Sequence, residues 1–396
     1  MPPDNPLPRA TPESHSDRLI LRPGAEPAGA VLVTIILRGG ADGLYLFPAF
    51  GDPSFRALRG SLGEIEPSAQ GMIDLDGYFG MHADLSRLQE TYQSGHLAIV
   101  HGVGLSQPIL SHFDATRAIE GGSFEPSPTD GWLGRHFASP NEANRAPLRA
   151  VAMGSSMPLV LQGANARLLG DLDDMRLEVP LGWEPEFTRL LARLYARGDD
   201  LAAVSGRGVL DTLAALKGIG AVPRTGPTTA RYRHDRFGNQ LRQVAQLIKA
   251  EVGLEGAVIS LEGWDSHVQQ MEKLAPLLQN FGASLSAFIV DLHDQLDRVT
   301  VVVLSEFGRR AAPNQAGGTD HGRAGAMLVL GGGIRGGQVY GRWPGLGEEQ
   351  LDADGNLQVT TDYRSVLAEV LDRRVKSRSL GRVFPQFEPT YLGITG

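Results

Sequence analysis

Two Asp/His pairs stand on turns rich in glycine: Asp265 and His267 in GWDSH, and Asp320 and His321 in GGTDHGRAGAMLVLGGG. Further groups capable of chemistry sit in short motifs elsewhere. Asp42 lies in LRGGADG, Ser111, His112 and Asp114 in SHFDATR, and Glu306 and Arg309 in LSEFGRR. Carboxylates and imidazoles together make a hard-to-borderline oxygen and nitrogen donor set. Such a set suits Zn, Mn, Mg or Ca rather than copper or an iron–sulfur cluster. The chain has no cysteine, which excludes disulfides, zinc–thiolate sites and cysteine nucleophiles.

These residues need elements to position them. Val31 to Leu37 is a continuous apolar, largely β-branched run, the pattern of a strand buried on both faces. LAIVHGVG (97–104) predicts a second strand after a helix-like stretch from Ala83 to Ser94, and Ser111 with Asp114 predicts a capped helix start. Further strands are expected near Arg149 to Met153, at Leu159 to Leu161, in GAVISLEGWDSH, in RVTVVVLSEFGRR and in AMLVLGGG. Helices are expected over Glu184 to Leu216 with a break at GRG, Gln240 to Glu251, His267 to Leu296 and Tyr363 to Arg373, and a hairpin region at GGQVYG. GIGAVPRTGPTT is expected to be a linker or surface loop. Strands alternating with helices predict a three-layer α/β/α sandwich around a mostly parallel sheet. In such a sheet ligands bind beyond the carboxyl ends of the strands. That is where Arg38, Asp42, His101, Ser111, His112, Asp265, His267, Glu306, Arg309 and Arg310 fall, with Asp320 and His321 just ahead of another strand.

Each residue also has a purely structural role open to it. Asp42 is a good turn former, Ser111 a good N-cap, and Glu306 with Arg309 a simple ion pair. His101 and His112 suit backbone-bonded, partly buried histidines, and Asp265 and His267 a strand-terminal turn. Two other chemistries lack their motifs. LVLGGGIRGG is not a phosphate-binding G-x-x-x-x-G-K-[ST] loop, and GSS at 154–156 lacks the closing glycine of a G-x-S-x-G elbow.

Bulk properties fit a loop-rich enzyme. The 396 residues suffice for a large core, 42% are hydrophobic, and the 50 glycines are scattered without a repeat. The net charge of −8 comes without long basic runs, so no nucleic-acid surface is expected. Residues 1–30 are polar and proline-rich and are expected to form an arm over a single domain spanning 31–396, with 155–240 as a cap or variable insert. No window is long and apolar enough for a membrane span, and the N-terminal segment has no apolar core or Arg-Arg pair. A cytoplasmic location is therefore expected.

Taken together, LRGGADGL, YFGMH, AIVHGVG…SHFDATR, DGWLGRH, GWDSH, LSEFGRR and GGTDHGRAGAMLVLGGG resemble the uncharacterised bacterial domain-of-unknown-function family 1501. The resemblance runs from about Val31 to the C-terminus. That family is grouped with the alkaline phosphatase/sulfatase-like superfamily, which implies an alkaline-phosphatase-like fold and one or two divalent ions. By that resemblance Asp42 stands where the first metal-binding aspartate is placed and Ser111 where the nucleophile is placed. Asp265 with His267, Glu306, and Asp320 with His321 stand at the later metal-ligand positions. Two departures matter: Asp-Ser-His replaces Asp-x-x-x-His, and Glu306-Phe replaces Asp-His. The sulfatase signature is also unmet, since SQPIL has Leu110 where Arg is required. Many relatives carry export signals, which makes export the alternative location.

The expectation that follows is a metal-assisted hydrolase of phosphate esters or diesters, sulfate being less favoured. Its ligands would be Asp42, Asp265, His267, Glu306, Asp320 and His321. Ser111 would be the nucleophile or help to hold the ester, and His112 a proton donor or a ligand. Arg38, Arg309 and Arg323 would hold the anionic oxygens of a small ester substrate. The alternative is a non-catalytic, phosphatase-like domain that binds a protein or carbohydrate partner.

Overall fold

The computed structural model of the chain describes residues 29–63, 71–125, 128–138, 144–180, 182–219 and 230–396. The expected N-terminal arm lies outside the described residues except for positions 29 and 30, as does most of the expected linker at 218–229.

The strands in chain order are β1 Val31–Leu37, β2 Met72–Asp74, β3 Gly80–His82, β4 Leu97–Gly104, β5 Ala150–Met153 and β6 Arg167–Leu169. They continue with β7 Gly256–Leu261, β8 Val299–Ser305, β9 Gly325–Gly331, β10 Gln338–Tyr340 and β11 Thr361–Asp362. Nine of them form one sheet in the order β10-β4-β9-β8-β1-β7-β5-β6, with β11 also on β4, while β2 and β3 make a separate antiparallel pair. β1 pairs in parallel with β7 and β8, and β5 in parallel with β6 and β7. β9 alone runs against its neighbours β4 and β8. The carboxyl ends of β1, β4, β7 and β8 and the amino end of β9 therefore share one edge of the sheet.

Burial follows the two-residue period of a strand. In β1, Val31, Val33, Ile35 and Leu37 join one hydrophobic core, while Leu32 and Ile36 join another. In β8, Val299, Val301 and Val303 share the first core, and Val302 and Leu304 the second. Because both faces are covered, these strands are continuous apolar runs rather than alternating ones. Helices Arg236–Lys249 and Gln270–Asp291 close the first core with Leu241, Val244, Leu274, Phe281 and Phe288. Helices His112–Gly121, Trp132–Ala138 and Tyr363–Arg373 close the second with Ile119, Trp132, Leu133, Val366 and Val370. The result is the three-layer α/β/α architecture around a mostly parallel sheet.

Three local expectations are corrected, and one strand, β6, was not expected. Leu159–Leu161 is a short 3-10 turn after Pro158, not a strand. β6, which sequence reading missed, lies inside the expected insert yet belongs to the main sheet. The helical stretch after Glu184 breaks between Tyr195 and Leu201, and GRG lies inside helix Leu201–Ile219. GGQVYG forms no hairpin, because β10 pairs in parallel with β4. Among the described residues no helix is long and apolar enough to cross a membrane.

Candidate metal centre

The glycine-rich turn ahead of β9 is wedged between the loops that follow β7 and β8. Thr319 N–H donates to Ser266 O at 3.1 Å, Arg310 N–H to Asp320 O at 3.0 Å, and Gly322 N–H to Gly308 O at 2.9 Å. A Cβ at Gly318 would stand 2.3 Å from Ser266 O and the His267 carbonyl carbon, and one at Gly322 2.3 Å from the Arg309 carbonyl carbon. Any side chain at either position would push the turn off its two neighbours. The glycines thus bring His321 and Asp320 against His267 and Asp265.

Three imidazoles meet there, and each is oriented through Nδ1. His112 Nδ1 lies 2.8 Å from Glu306 Oε1, His267 Nδ1 3.0 Å from Asp320 Oδ1, and His321 Nδ1 2.7 Å from the Leu110 carbonyl. All three partners only accept, so each neutral ring carries its proton on Nδ1 and turns a lone pair outward at Nε2. His267 Nε2 and His321 Nε2 face each other at 2.9 Å. Asp265 Oδ1 lies 3.8, 3.2 and 3.9 Å from Nε2 of His112, His267 and His321. Within this set, the donor atoms of His112, Asp265 and His321 lie within 4.8 Å of one another.

This arrangement fits a cation. Two lone pairs opposed at 2.9 Å repel unless a positive centre is shared between them, and His112 Nε2 is a buried polar atom without a hydrogen-bond partner. Metal–nitrogen bonds of roughly 2.0–2.1 Å at tetrahedral angles put donor atoms roughly 3.3 Å apart, close to the 2.9 and 3.2 Å around His267 Nε2, while Asp265 Oδ1 stands wider from His112 and His321, at 3.8 and 3.9 Å. Side-chain exposure of 34% for His112 and 51% for Asp265 leaves the centre open to solvent.

The electrostatics keep the donors in the required states. Burial alone would raise the Asp265 carboxyl, but the Arg309 hydrogen bond and charge, aided by His267 and His112, hold it below the usual carboxylate range. Asp320 is held low by hydrogen bonds from Asn314 and His267. Burial depresses His321 most, and His112, Arg309 and His267 push it further against the Leu110 carbonyl, so it is neutral at pH 7.

Several expected roles fall differently. Glu306 and Asp320 stand behind the imidazoles rather than beside Asp265. Glu306 Oε1 also accepts from Gly39 N–H at 2.8 Å, and its Oε2 from Ser305 Oγ at 2.9 Å. Asp42 is not brought to the cluster. It caps helix Gly43–Leu46, accepts from Gln270 Nε2 and is ion-paired at 2.7 Å to the fully buried Arg59. Arg309 is spent inside the protein on Gly39 O, Gly40 O, Thr319 O and Asp265 Oδ1. Arg38 pairs with Glu120 and donates to Ser260, and Arg323 pairs with Asp352 and donates to Ser106 O. Ser111 is exposed at the N-cap of helix His112–Gly121, its Oγ accepting from Asp114 N–H at 3.4 Å. His101 is structural, buried and bonded to the Phe47 carbonyl. Sequence reasoning missed the Leu110 carbonyl and Asn314. A backbone carbonyl has no signature in sequence, but Asn314 sits six residues before Asp320, within reach of a turn.

A family profile described as a protein of unknown function, DUF1501, matches residues 101–385, well over half of the chain. The chain belongs to the DUF1501 family. The matched stretch contains all of His112, Asp265, His267 and His321, whereas Arg38 and Asp42 precede it. No curated protein matches this DUF1501 chain. Similar solved structures include the alkaline phosphatase of the Antarctic bacterium TAB5, 10% identical over 77% of this chain and 92% of that one, at a TM-score of 0.33. The lipoteichoic acid synthase LtaP of Listeria monocytogenes is 10% identical, with 80% and 69% covered and a TM-score of 0.36. The PH0037 protein of Pyrococcus horikoshii is 13% identical, with 91% and 99% covered and a TM-score of 0.32. At such scores these likenesses carry no conclusion about chemistry.

Proposed function

We propose that this DUF1501 protein is a metal-dependent hydrolase of phosphate esters or diesters, with sulfate esters the second class. One ion would be held by His112, Asp265, His267 and His321. The observation that carries the reading is the convergence of three Nε2 lone pairs, each fixed from behind through Nδ1, on one carboxylate. Three imidazoles favour zinc, or another borderline ion such as manganese, over magnesium and calcium, which prefer oxygen donors. A bound divalent ion would supply positive charge to the oxygens of an ester as negative charge builds on them.

The chain's own residues would then divide the work. Glu306 and Asp320 hold His112 and His267 in the donating tautomer and orientation, and the Leu110 carbonyl does so for His321. Arg309 keeps Asp265 ionised. Ser111 has its Oγ lone pair engaged by Asp114 N–H, which leaves its own proton free to donate to an ester oxygen. No imidazole is bonded to that hydroxyl among the described residues, which supports a holding role over a nucleophilic one.

The test is metal analysis of the purified protein together with an aryl phosphate, a bis-aryl phosphodiester and an aryl sulfate. The expected result is one equivalent of metal and phosphate or phosphodiester turnover, both lost in His321→Ala. Stoichiometric metal without turnover of any substrate would move the protein to the partner-binding alternative. Turnover that persists in chelator would point to a serine esterase, and absence of metal would remove the reading altogether.

A further inference from the structure

Three clefts follow one another across the surface from the ends of β1, β5 and β7, sharing residues where they meet. The first, of about 290 Å³, opens at the carboxyl ends of β1, β5 and β7 between Arg38, Ser155, Ser156, Ser260, Glu262 and Arg236. Its Arg38 wall adjoins Gly39, whose N–H is bonded to the same Glu306 oxygen that orients His112. Arg236 also lines the second cleft, of about 750 Å³, with Arg231, Arg233, His234 and Arg242. Arg231, Arg233 and His234 in turn line the third, of about 960 Å³, with Arg87.

The charge of this path is opposite to that of the protein. Six arginines line the three clefts against three carboxylates, Asp84, Asp235 and Glu262, in a chain whose net charge is −8. Asp235 is spent as the N-cap of helix Arg236–Lys249, and Asp84 accepts from Gln279. By contrast Arg87, Arg231, Arg233 and Arg236 carry no ion pair or side-chain hydrogen bond among the described residues. Arg38, Arg59, Arg309 and Arg323 are instead each ion-paired to a carboxylate of the protein. Unpaired guanidinium groups aligned along a groove form a positive potential that suits a ligand with repeated negative charges.

We propose that the three clefts bind a linear anionic polysaccharide bearing sulfate or phosphate groups, and feed one of its esters to the metal centre. The second half rests on the hydrolase reading; the binding itself does not. A polymer is favoured over a small ester because the path runs through three successive clefts that share lining residues. A nucleic acid is disfavoured because single strands are held by stacking on aromatic faces. Tyr232 is the aromatic residue among the lining groups, and its hydroxyl is tied down by Asp291.

Binding of sulfated dextran, unsulfated dextran of equal length and poly(dT) tests this by titration calorimetry at low and moderate salt. Sulfated dextran should bind with an affinity that falls as salt rises, unsulfated dextran should not bind, and poly(dT) should be weaker than sulfated dextran. The exposed double variant Arg231→Glu/Arg233→Glu should lose about tenfold or more in affinity at low salt, and Arg236→Ala several-fold, because each change removes an attraction to the anionic groups that salt screens. Chelator and His321→Ala should leave this binding unchanged, so a failure of the hydrolase reading would not be mistaken for a failure of the binding path. Equal affinity of the double variant and the unaltered protein would overturn the proposal. So would tighter binding of poly(dT), or competition by free sulfate at the same total sulfate concentration.

Discussion

Glu306 offers the sharpest test of how the candidate metal centre is built, because one carboxylate oxygen serves two donors. Oε1 accepts from Gly39 N–H and from His112 Nδ1, both at 2.8 Å, while Oε2 accepts from Ser305 Oγ. Loss of an outer partner of this kind lowers metal affinity roughly 10–100-fold, or about 1.4–2.7 kcal/mol. Glu306→Gln should sit at the lower end. Its amide oxygen can still accept from Gly39 and His112, and its nitrogen can donate to Ser305 Oγ. The Ser305 proton then stays with the Leu37 carbonyl, 2.7 Å away. What disappears is the negative charge that makes His112 Nε2 a better donor.

Glu306→Ala should sit at the upper end, about 100-fold. It removes the acceptor that fixes the ring and leaves the half-buried Gly39 N–H unpaired, at about 1 kcal/mol of stability. Zinc titration against a competing chromophoric chelator at neutral pH reads the affinities, and thermal unfolding of the metal-free proteins reads the stability separately. The order expected is unaltered protein, Glu306→Gln, Glu306→Ala, then His112→Ala as the weakest. Equal zinc affinity in the unaltered protein and Glu306→Ala would refute the orienting role. A Glu306→Gln loss as large as that of His112→Ala would make Glu306 a ligand itself, as its place in LSEFGRR first suggests.

Two further predictions concern stability. His101 has its folded-state pKa lowered from 6.5 to about 4, chiefly by burial, with the Phe47 carbonyl and Asp42 pulling the other way. The unfolded chain then binds a proton that the folded chain refuses. Stability is intact above pH 6.5 and falls as the pH drops from there toward 4, by about 3 kcal/mol in all at ~1.36 kcal/mol per unit. His101→Gln, which can still donate to Phe47 O, should flatten that acid limb in urea unfolding curves; an unchanged slope would dismiss His101 as its cause. Asp42→Ala strips a fully buried Arg59 of its partner and should cost about 3–5 kcal/mol. Zinc affinity per folded molecule should survive it, whereas lost affinity with retained stability would restore Asp42 to the ligand set.

The sheet was legible because its central strands are buried on both faces and so are written as nearly continuous apolar runs, interrupted only by single polar residues such as Thr34 and His101: VLVTIIL, LAIVHGVG, VTVVVLS and GAMLVLG. Short elements were not. LVL at 159–161 has the composition of a strand but only three residues after Pro158, and RLL of β6 has no periodicity to find. The break near Gly198 did have a signal, since Asp200 accepts from Ala203 N–H as a helix cap would. GRG misled because glycine inside a helix costs only about 1 kcal/mol and is readily outvoted by packing. At the site, sequence located the donors by their place after strands but could not sort donors from holders. Asp265 and Asp320 each neighbour a histidine in the chain, yet one faces the Nε2 atoms and the other grips an Nδ1. That distinction depends on how the turn at 317–323 docks, and docking is set by Gly318 and Gly322 against backbone far away in sequence.

Charge around the candidate centre bears on how many ions it would take under the proposed function. Asp265, Glu306 and Asp320 contribute three negative charges, and the buried Arg309 contributes one positive. With each Nε2 turned to a bound ion in place of a proton, the imidazoles would add no charge, so the surroundings would carry about two net negative charges. Arg310 also acts on Asp320, but from an exposed position where solvent screens it. One divalent cation balances that sum. A second would bring two uncompensated positive charges into a region whose remaining candidate ligand, Asp42, is already neutralised by Arg59. Under the proposed function the balance therefore favours a single ion, and it gives the two carboxylates behind the histidines a role: they would supply the compensating charge without occupying positions that the ion would leave open to an ester.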